Sequence, residues 1–482
     1  MYKLDQLSNR STLILGLGVE GLSTLKFLRE LFPGKRLGVA DRGPLESLDA
    51  ESQERIASDS HLTLHLGEDY LASLPSYETV IKTPGISVAR HPEIQAAISA
   101  GTLTSHTSLF FSNCPGTIVG VTGTKGKGTT SKLIHSMLEA AGVDAYLVGN
   151  IGNPPLPLLK RATASSIFVF EMSAQQLETI RQSPHIAVLL NIVPDHLDHF
   201  VSFENYVTAK QNIARYQTAT DYLICNPSLP IPKRISNEAR SQVIPSSFES
   251  SLARGCFVEN GHVVCRLGEV TENIVGLEEV EAVLPGSFNL NNVVPAVAAA
   301  RLLDVPIERI IEGIRNFEPQ EHRFDRVGTF QGVTFYNASI ATVPEVTIEH
   351  LSSLGDDVQT MLLGGHDRGM DFAVLADRIL DSGVKTVILF PDTGRRIWDA
   401  LTARALESSK SLPRHLFIDR AQGAEAAMRE AVQLAYLHTE PGKICLHSPA
   451  SPSFGVFKDY KQRGNLFKRW VKELGLSSIR SV

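Results

Sequence analysis

Cysteine is scarce in this chain, and the five present, Cys114, Cys225, Cys256, Cys265 and Cys445, are odd in number, scattered and nowhere spaced as CxxC. That pattern signals neither a zinc site nor a disulfide framework, and a reducing cytosol is the expected compartment. Positive charge is not in excess either. The net charge is −6, so no global field attracts polyphosphate; nucleic acid is not expected as a partner, and any phosphate binding must be local. No run approaches the roughly 18 apolar residues that a membrane span needs. The opening stretch, Met1 to Gly18, holds a short apolar run that enters a glycine turn rather than a cleavage site, so it does not read as a secretory signal. The expectation is a cytoplasmic protein without membrane contact. Repeats and low-complexity segments are also lacking.

What is present is ordinary globular composition: 482 residues, 43% hydrophobic and 20% charged. That length exceeds one core and suggests about three domains at roughly 100 to 200 residues each. The pattern of short apolar strand, glycine turn and amphipathic helix restarts three times, as in α/β folds with parallel sheets. The first start is Thr12 to Leu15, followed by Leu22, Leu25, Leu28 and Phe32 at helical spacing; the second is Thr117 to Val121. The third begins near Phe317, with strands at Met361 to Leu363, Val387 to Phe390, Leu416 to Ile418 and Ile444 to Leu446. Boundaries near 114 and 317 divide the chain into residues 1–114, 115–316 and 317–482. Within the central part, Asn260-Gly261 between apolar alternations predicts a type I′ hairpin over Cys256 to Cys265.

The first glycine run, Gly16-Leu17-Gly18-Val19-Glu20-Gly21, fits GxGxxG, with Asp41 at the end of the next strand. Glycines there let backbone N–H groups approach a pyrophosphate at a helix N-terminus, and Asp41 can accept from a ribose or a base. Alone, this motif is equally a ligand-free strand-to-helix turn. The second loop, Thr122-Gly123-Thr124-Lys125-Gly126-Lys127-Gly128-Thr129-Thr130, carries more. Its glycines turn N–H groups toward phosphate oxygens, Lys127 neutralises β and γ phosphates, and Thr129 or Thr130 can place a hydroxyl on Mg²⁺. It departs from the strict G-x-x-x-x-G-K-[ST] pattern because Gly128 follows the lysine. Two further strands end at Glu171 and before Asp195-His196-Leu197-Asp198, where open α/β sheets place their sites. Glu171 and His196 can both reach a metal there, although Mg²⁺ prefers oxygen ligands. The bland alternative is that Asp195 caps a turn and His196 is a satisfied loop histidine. Lys210, in the second half of a helix that begins near Ser202, reads by composition as a solvated surface lysine.

Taken together these motifs resemble the Mur ligase superfamily, and within it most closely the branch that adds glutamate to UDP-N-acetylmuramoyl-L-alanine. The resemblance rests on GLGVEG, TPGIS (Thr83–Ser87), TGTKGKGTT, GNIG (Gly149–Gly152), EMSAQQLE (Glu171–Glu178), DHLDH, the TAK ending at Lys210, FNLNN (Phe288–Asn292), EHRF (Glu321–Phe324), LLGGHDRGMDF and SPASPSFGVFKDYKQRGNLF. It covers essentially the whole chain. It implies an α/β protein of three domains: an N-terminal Rossmann-like UDP-binding domain, a central P-loop ATPase-like domain with a mostly parallel sheet, and a C-terminal Rossmann-like domain that brings the amino acid. It also implies ATP and Mg²⁺, an acyl-phosphate route to an amide, a monomer, and a place in peptidoglycan precursor synthesis.

Residue by residue, the resemblance assigns Gly16, Gly18, Val19, Gly21, Asp41, Arg42, Thr83 and Gly85 to the UDP end of the substrate. Asn150 and Ser173 fall at its muramoyl end, and Gln176 is assigned to the same substrate. Gly123, Thr124, Gly126, Lys127, Gly128, Thr129, Thr130, Asn289, Asn292, His322 and Arg323 are assigned to ATP. Thr129, Glu171, His196 and Lys210, the last as a carbamate, are assigned to Mg²⁺, with Lys127, His196 and Lys210 catalytic. Thr342, Arg368, Ser453, Phe454 and Tyr460 are assigned to the amino acid.

Several positions depart from the family pattern. Asn337-Ala338-Ser339-Ile340-Ala341-Thr342 stands where Asn-Asp-Ser-Lys-Ala-Thr is usual, so an acid is lost at Ala338 and a cation at Ile340. Phe288 replaces a common histidine, and Arg368 replaces a lysine that meets the glutamate side chain; arginine can grip a carboxylate bidentately. Three other readings compete with a D-glutamate ligase. They are an L-glutamate-adding sibling, a folylpolyglutamate synthase, whose phosphate loop also carries glycine after lysine, and a non-catalytic nucleotide-binding protein.

Overall fold

The computed structural model describes residues 3–249, 251–319, 321–419 and 423–476. Among the described residues, three sheets of five, nine and six strands carry the fold, all mainly parallel. In the first, the spatial order is Leu62–Leu66, Leu37–Asp41, Thr12–Leu15, Thr79–Lys82, Leu103–Ser105, every pairing parallel. Thr12–Leu15 and Thr79–Lys82 are buried along their whole length. Burial at every position follows from helices on both faces, and explains why these strands read as continuous apolar runs rather than alternations.

The central sheet is parallel from Ala145–Gly149 through Ile167–Glu171, Thr117–Thr122, Ile186–Leu189, Tyr222–Cys225 and Gln242–Ser247 to Gly255–Glu259. It turns antiparallel only at the hairpin with His262–Arg266 and at the last strand, Glu272–Gly276. Asn260 (φ 48°) and Gly261 (φ 75°) both occupy the left-handed region, as a type I′ turn requires. That register sets Cys256 directly opposite Cys265 with Cα atoms 4.2 Å apart, and the two are joined as a disulfide. The expectation of no disulfide is thereby corrected: a nine-residue separation looks dispersed along the chain, but a two-residue turn folds it into a cross-strand pair.

The third sheet runs Asp325–Phe330, Val333–Asn337, Ile444–His447, Val358–Gly364, Thr386–Phe390, Arg414–Phe417, antiparallel only between the first two. Its two faces carry separate cores, one around Leu351, Leu363 and Leu389, the other around Phe335, Met428 and Phe467.

By compactness the chain falls into two units, Met1–Val283 with Asn289–Phe317, and Leu284–Phe288 with Glu318–Val482. The first two sheets share the first unit because one hydrophobic cluster runs through both. Phe110, on the helix His106–Asn113 that follows the first sheet, meets Phe168 edge-on at 5.0 Å between ring centroids. At the same seam His106 is fully buried. Its Nδ1 is 2.8 Å from Thr24 Oγ1, and its Nε2 accepts from the Leu156 N–H at 3.5 Å. Burial pushes its pKa down to about 3, so the imidazole is neutral there.

Candidate functional site

The first glycine turn is shaped by close approach. Gly16 has φ +98°, and a Cβ on it would lie 2.0 Å from Thr83 Oγ1; a Cβ on Gly21 would lie 1.9 Å from Gly16 O. Gly18 and Gly85 have open space beside them, and Val19, opening the helix Val19–Leu31, is exposed. N–H groups at such a terminus favour an anion. Asp41 is engaged locally: Oδ2 accepts from Leu17 N–H at 2.6 Å and Oδ1 from Gly43 N–H at 2.7 Å. It therefore braces the turn, with its remaining lone pairs left for a ligand. Arg42, beside it, forms an exposed pair with Glu68 and lines a cavity of about 330 Å³ with Pro44, Leu45, Glu46, Leu66 and Gly67.

The second loop, between Thr117–Thr122 and the helix Lys127–Ala140, packs against segments distant in the chain. Gly123 (φ +158°) abuts Leu190, and Gly126 (φ +86°) abuts Asn292, whose Oδ1 would sit 2.1 Å from an added Cβ. Asn191 holds the loop twice, its carbonyl accepting from Thr124 N–H at 2.7 Å and its Oδ1 from Lys125 N–H at 3.0 Å. Lys127 Nζ donates to Gly123 O at 2.9 Å and Thr124 O at 3.0 Å, folding the cation over the loop. Gly128, Thr129 and Thr130 lie buried in the first turn of the helix; Thr130 reaches Asn292 Oδ1 at 3.4 Å, and Asn292 Nδ2 reaches Asn289 Oδ1 at 3.4 Å.

Lys210 is not a surface lysine. It is 1% exposed, on the helix Phe203–Arg215 that Ser202 caps through Asn205 N–H. Its Nζ donates to Gly123 O at 2.8 Å and Thr122 Oγ1 at 3.3 Å and lies 4.8 Å from the centre of the Tyr206 ring. Helical spacing alone places Tyr206 and Lys210 on one face; what turns that face inward is the loop they pack on. Burial drives the Lys210 pKa well below the usual lysine value, and the neighbouring Lys127 charge lowers it further. A depressed amine is a free nucleophile, the form that carbamylation consumes.

Glu171 ends its strand buried. Oε1 accepts from Asn150 Nδ2 at 2.8 Å, while Oε2 is buried with no partner. Its charge, with that of Asp195, acts on Lys210. His196 has φ 51° and a half-exposed side chain, and its ring centre is 6.4 Å from that of Tyr206. Among the described residues no three His, Cys, Asp or Glu side chains converge as a metal-holding group. The buried, unpartnered Glu171 Oε2 is nonetheless the hard oxygen donor that Mg²⁺ prefers. Ser173 and Gln176 form a capping box, Gln176 N–H to Ser173 Oγ at 3.1 Å and Ser173 N–H to Gln176 Oε1 at 2.9 Å.

The second unit carries the remaining predicted residues. His322 is buried with φ 66°, its Nδ1 2.9 Å from Asn337 Nδ2 and its Nε2 without a partner; Arg323 follows it, partly exposed. Ala338 is fully buried, its N–H donating to His447 O at 2.7 Å. Ser339 Oγ donates to Tyr460 O at 2.8 Å, and the buried Arg463 donates to Ser339 O and Ser451 O at 2.7 and 3.0 Å. Those bonds tie the loop carrying Thr342 to the loop carrying Ser453. Phe454 is half-exposed, with its ring edge-on to His366 at 6.3 Å, and Arg368 is exposed on the loop after Val358–Gly364. Phe288 packs edge-on against Phe324 at 5.4 Å, which gives an apolar role to the position where a histidine is usual. Asn191, Tyr206 and Arg463 escaped the sequence reading; for Tyr206 the four-residue spacing to Lys210 was the available signal.

Comparison with known proteins gives the family. The Mur ligase middle domain matches residues 121–300, and the MurD-like N-terminal domain of Mur ligases matches residues 10–104. The UDP-N-acetylmuramoylalanine--D-glutamate ligase of Acetivibrio thermocellus is 34% identical over 97% of this chain and 97% of its own length. That of Symbiobacterium thermophilum is 34% identical over 96% and 97%. Among solved structures, MurF from Acinetobacter baumannii superposes with a TM-score of 0.60 at 14% identity, covering 98% of both chains. The MurF ligase from Thermotoga maritima in complex with ADP gives 0.56 at 14%, also over 98% of both. With full-length relatives above 30% identity and both domain models in place, the chain belongs to the Mur ligase family of ATP-dependent amide-forming ligases and carries an N-terminal domain of the MurD type.

Proposed function

We propose that this protein adds D-glutamate to UDP-N-acetylmuramoyl-L-alanine, with ATP and Mg²⁺, in peptidoglycan precursor synthesis. The observation that carries the reading is the convergence on one phosphate loop of Lys127, the buried Lys210 and the strand end of Glu171, in a chain whose full-length relatives bear that activity in their names. Residues 1–114, 115–316 and 317–482 are read as the domains for UDP-substrate, ATP and amino acid.

A carboxylate is a poor electrophile, so the substrate carboxylate first attacks the γ-phosphate of ATP in line, the bond from γ-phosphorus to the bridging oxygen breaks, ADP leaves, and the carboxylate becomes an acyl phosphate. Gly123, Gly126 and Gly128 let backbone N–H groups approach the phosphates, and Lys127 offsets charge on the transferring group. Bound Mg²⁺ would add further charge neutralisation there, and Thr129, Glu171, His196 and carbamylated Lys210 are the residues to hold it. The neutral amine of glutamate then attacks the acyl carbon, the C–O bond to phosphate breaks, the nitrogen loses a proton, and amide and inorganic phosphate are released. Thr342, Arg368, Ser453, Phe454 and Tyr460 orient that amino acid, with Arg368 on a carboxylate.

The test is phosphate release by the purified protein with ATP, Mg²⁺ and UDP-N-acetylmuramoyl-L-alanine, comparing D-glutamate, L-glutamate and no amino acid. Release with D-glutamate alone supports the reading. Release with L-glutamate alone moves the protein to the sibling activity, for which Ile340 and Arg368 are the residues to examine. No release with either refutes a glutamate ligase and makes Ala338→Asp the first reversion to test.

A further inference from the structure

A buried ionic network, whose charged members Glu20, Lys82, Glu178 and His199 carry no role assigned above, lies between the first sheet and the segment Ser173–Phe200. Lys82, the last residue of its strand, is 1% exposed; its Nζ is 3.8 Å from Glu178 Oε2 and donates to Thr83 O at 3.1 Å. Glu178 also meets His199 Nε2 at 3.4 Å, and the His199 carbonyl accepts from Ser87 Oγ at 2.6 Å. Glu20, inside the first glycine turn, accepts at Oε1 from Gln176 Nε2 at 2.6 Å, while its Oε2 is buried without a partner. Burial raises the Glu20 pKa and lowers that of Lys82 to about 8, with Glu178 and Glu20 the charges that act on Lys82.

A buried charge cluster at a domain seam has a simple structural reading, that of joining two cores. Here the joined pieces argue for more. One end of the network is the turn Gly16–Gly21, where an anion is expected. The other is Gln176, whose Oε1 holds the Ser173 N–H, and the four-residue helix Leu197–Phe200, which begins at His196. Ala174–Leu177 and Leu197–Phe200 are each one turn long, too short to hold their own geometry. On one side they are held by Asn212 and Asn205 of the helix Phe203–Arg215, which donate to Leu177 O at 3.0 Å and Phe200 O at 2.9 Å; on the side of the first sheet they are held by Glu20, Lys82 and Ser87.

We infer that Glu20 and Lys82 are positioning residues that set the distance between the UDP end and the muramoyl end of the substrate site. Glu20 acts through Gln176, and Lys82 acts through Glu178 and His199. Neither touches the reacting atoms. The inference rests on the proposed function for its substrate but not for its geometry.

The experiment compares the full chain with Glu20→Leu, Glu20→Gln and Lys82→Met. Two quantities are measured: KM for UDP-N-acetylmuramoyl-L-alanine and for ATP, and amide hydrogen exchange over residues 173–200 and 127–140. Glu20→Leu and Lys82→Met should raise KM for the UDP substrate about tenfold and leave KM for ATP within about twofold. Exchange should quicken over 173–200 and not over 127–140. Glu20→Gln, whose amide oxygen still accepts from Gln176, should recover most of the loss. Equal rises in both KM values, or unchanged exchange over 173–200, overturn the inference. If Lys82→Met does not fold, the Glu20 pair decides alone. If the wild type does not turn over this substrate, the proposed function fails and the exchange measurement still decides the inference.

Discussion

Replacing His106 by glutamine should reverse its effect on stability between pH 8 and pH 5. The neutral ring accepts from Leu156 N–H and bonds Thr24, whose Oγ1 in turn donates to Glu20 O on the first glycine helix. The His106 pKa in the folded protein is about 3 against about 6.5 unfolded. The folded value is depressed, so as pH falls below 6.5 the unfolded chain takes up a proton that the folded chain refuses, and stability is lost. At pH 5, one and a half units below 6.5, that loss is about 2 kcal/mol. Glutamine keeps a donor and an acceptor but does not titrate, and should cost about 1 kcal/mol at pH 8 through a less well-made hydrogen bond. The variant is therefore about 1 kcal/mol less stable than wild type at pH 8 and about 1 kcal/mol more stable at pH 5. Urea unfolding of both proteins at both pH values measures this, and other histidines cancel in the difference. An equal gap between the two proteins at pH 8 and pH 5 would refute the claim that His106 is buried neutral.

Gly126→Ala places a methyl 2.1 Å from Asn292 Oδ1 at φ +86°; kcat/KM for ATP should fall at least about tenfold, read by phosphate release, with the fold retained by circular dichroism. Gly16→Ala, against Thr83 Oγ1 at 2.0 Å, should instead raise KM for the UDP substrate by about tenfold and spare that for ATP. Lys210→Ala should reduce turnover at least about a hundredfold, and native-state mass of the wild type in bicarbonate should show one added carbamate that the variant lacks. Arg368→Met should raise KM for glutamate by about tenfold or more without changing KM for ATP.

Much of the architecture was legible because its signals are local. Thr12–Leu15 and Thr117–Thr122 announce themselves by apolar runs before glycine turns, and Asn260-Gly261 by the left-handed conformations that only such residues adopt readily. Strand ends were less exact: Ala187 to Asn191 is a strand over Ile186–Leu189, and Leu416 to Ile418 one over Arg414–Phe417. Asp41 was placed correctly at its strand end, yet its two backbone bonds depend on where Leu17 and Gly43 come to lie.

The sequence by itself determined three α/β units, a phosphate loop between strand and helix, and a set of motifs specific enough to identify a family. These depend on periodicities of two and of three to four residues and on glycine's access to positive φ, all properties of neighbouring residues. Only the tertiary structure decided that Lys210 is buried on the Gly123 carbonyl, that Cys256 and Cys265 are bonded, and that Lys82 lies buried beside Glu178. Whether a charge is hydrated or enclosed depends on residues distant in the chain that pack over it, and no local pattern carries that information.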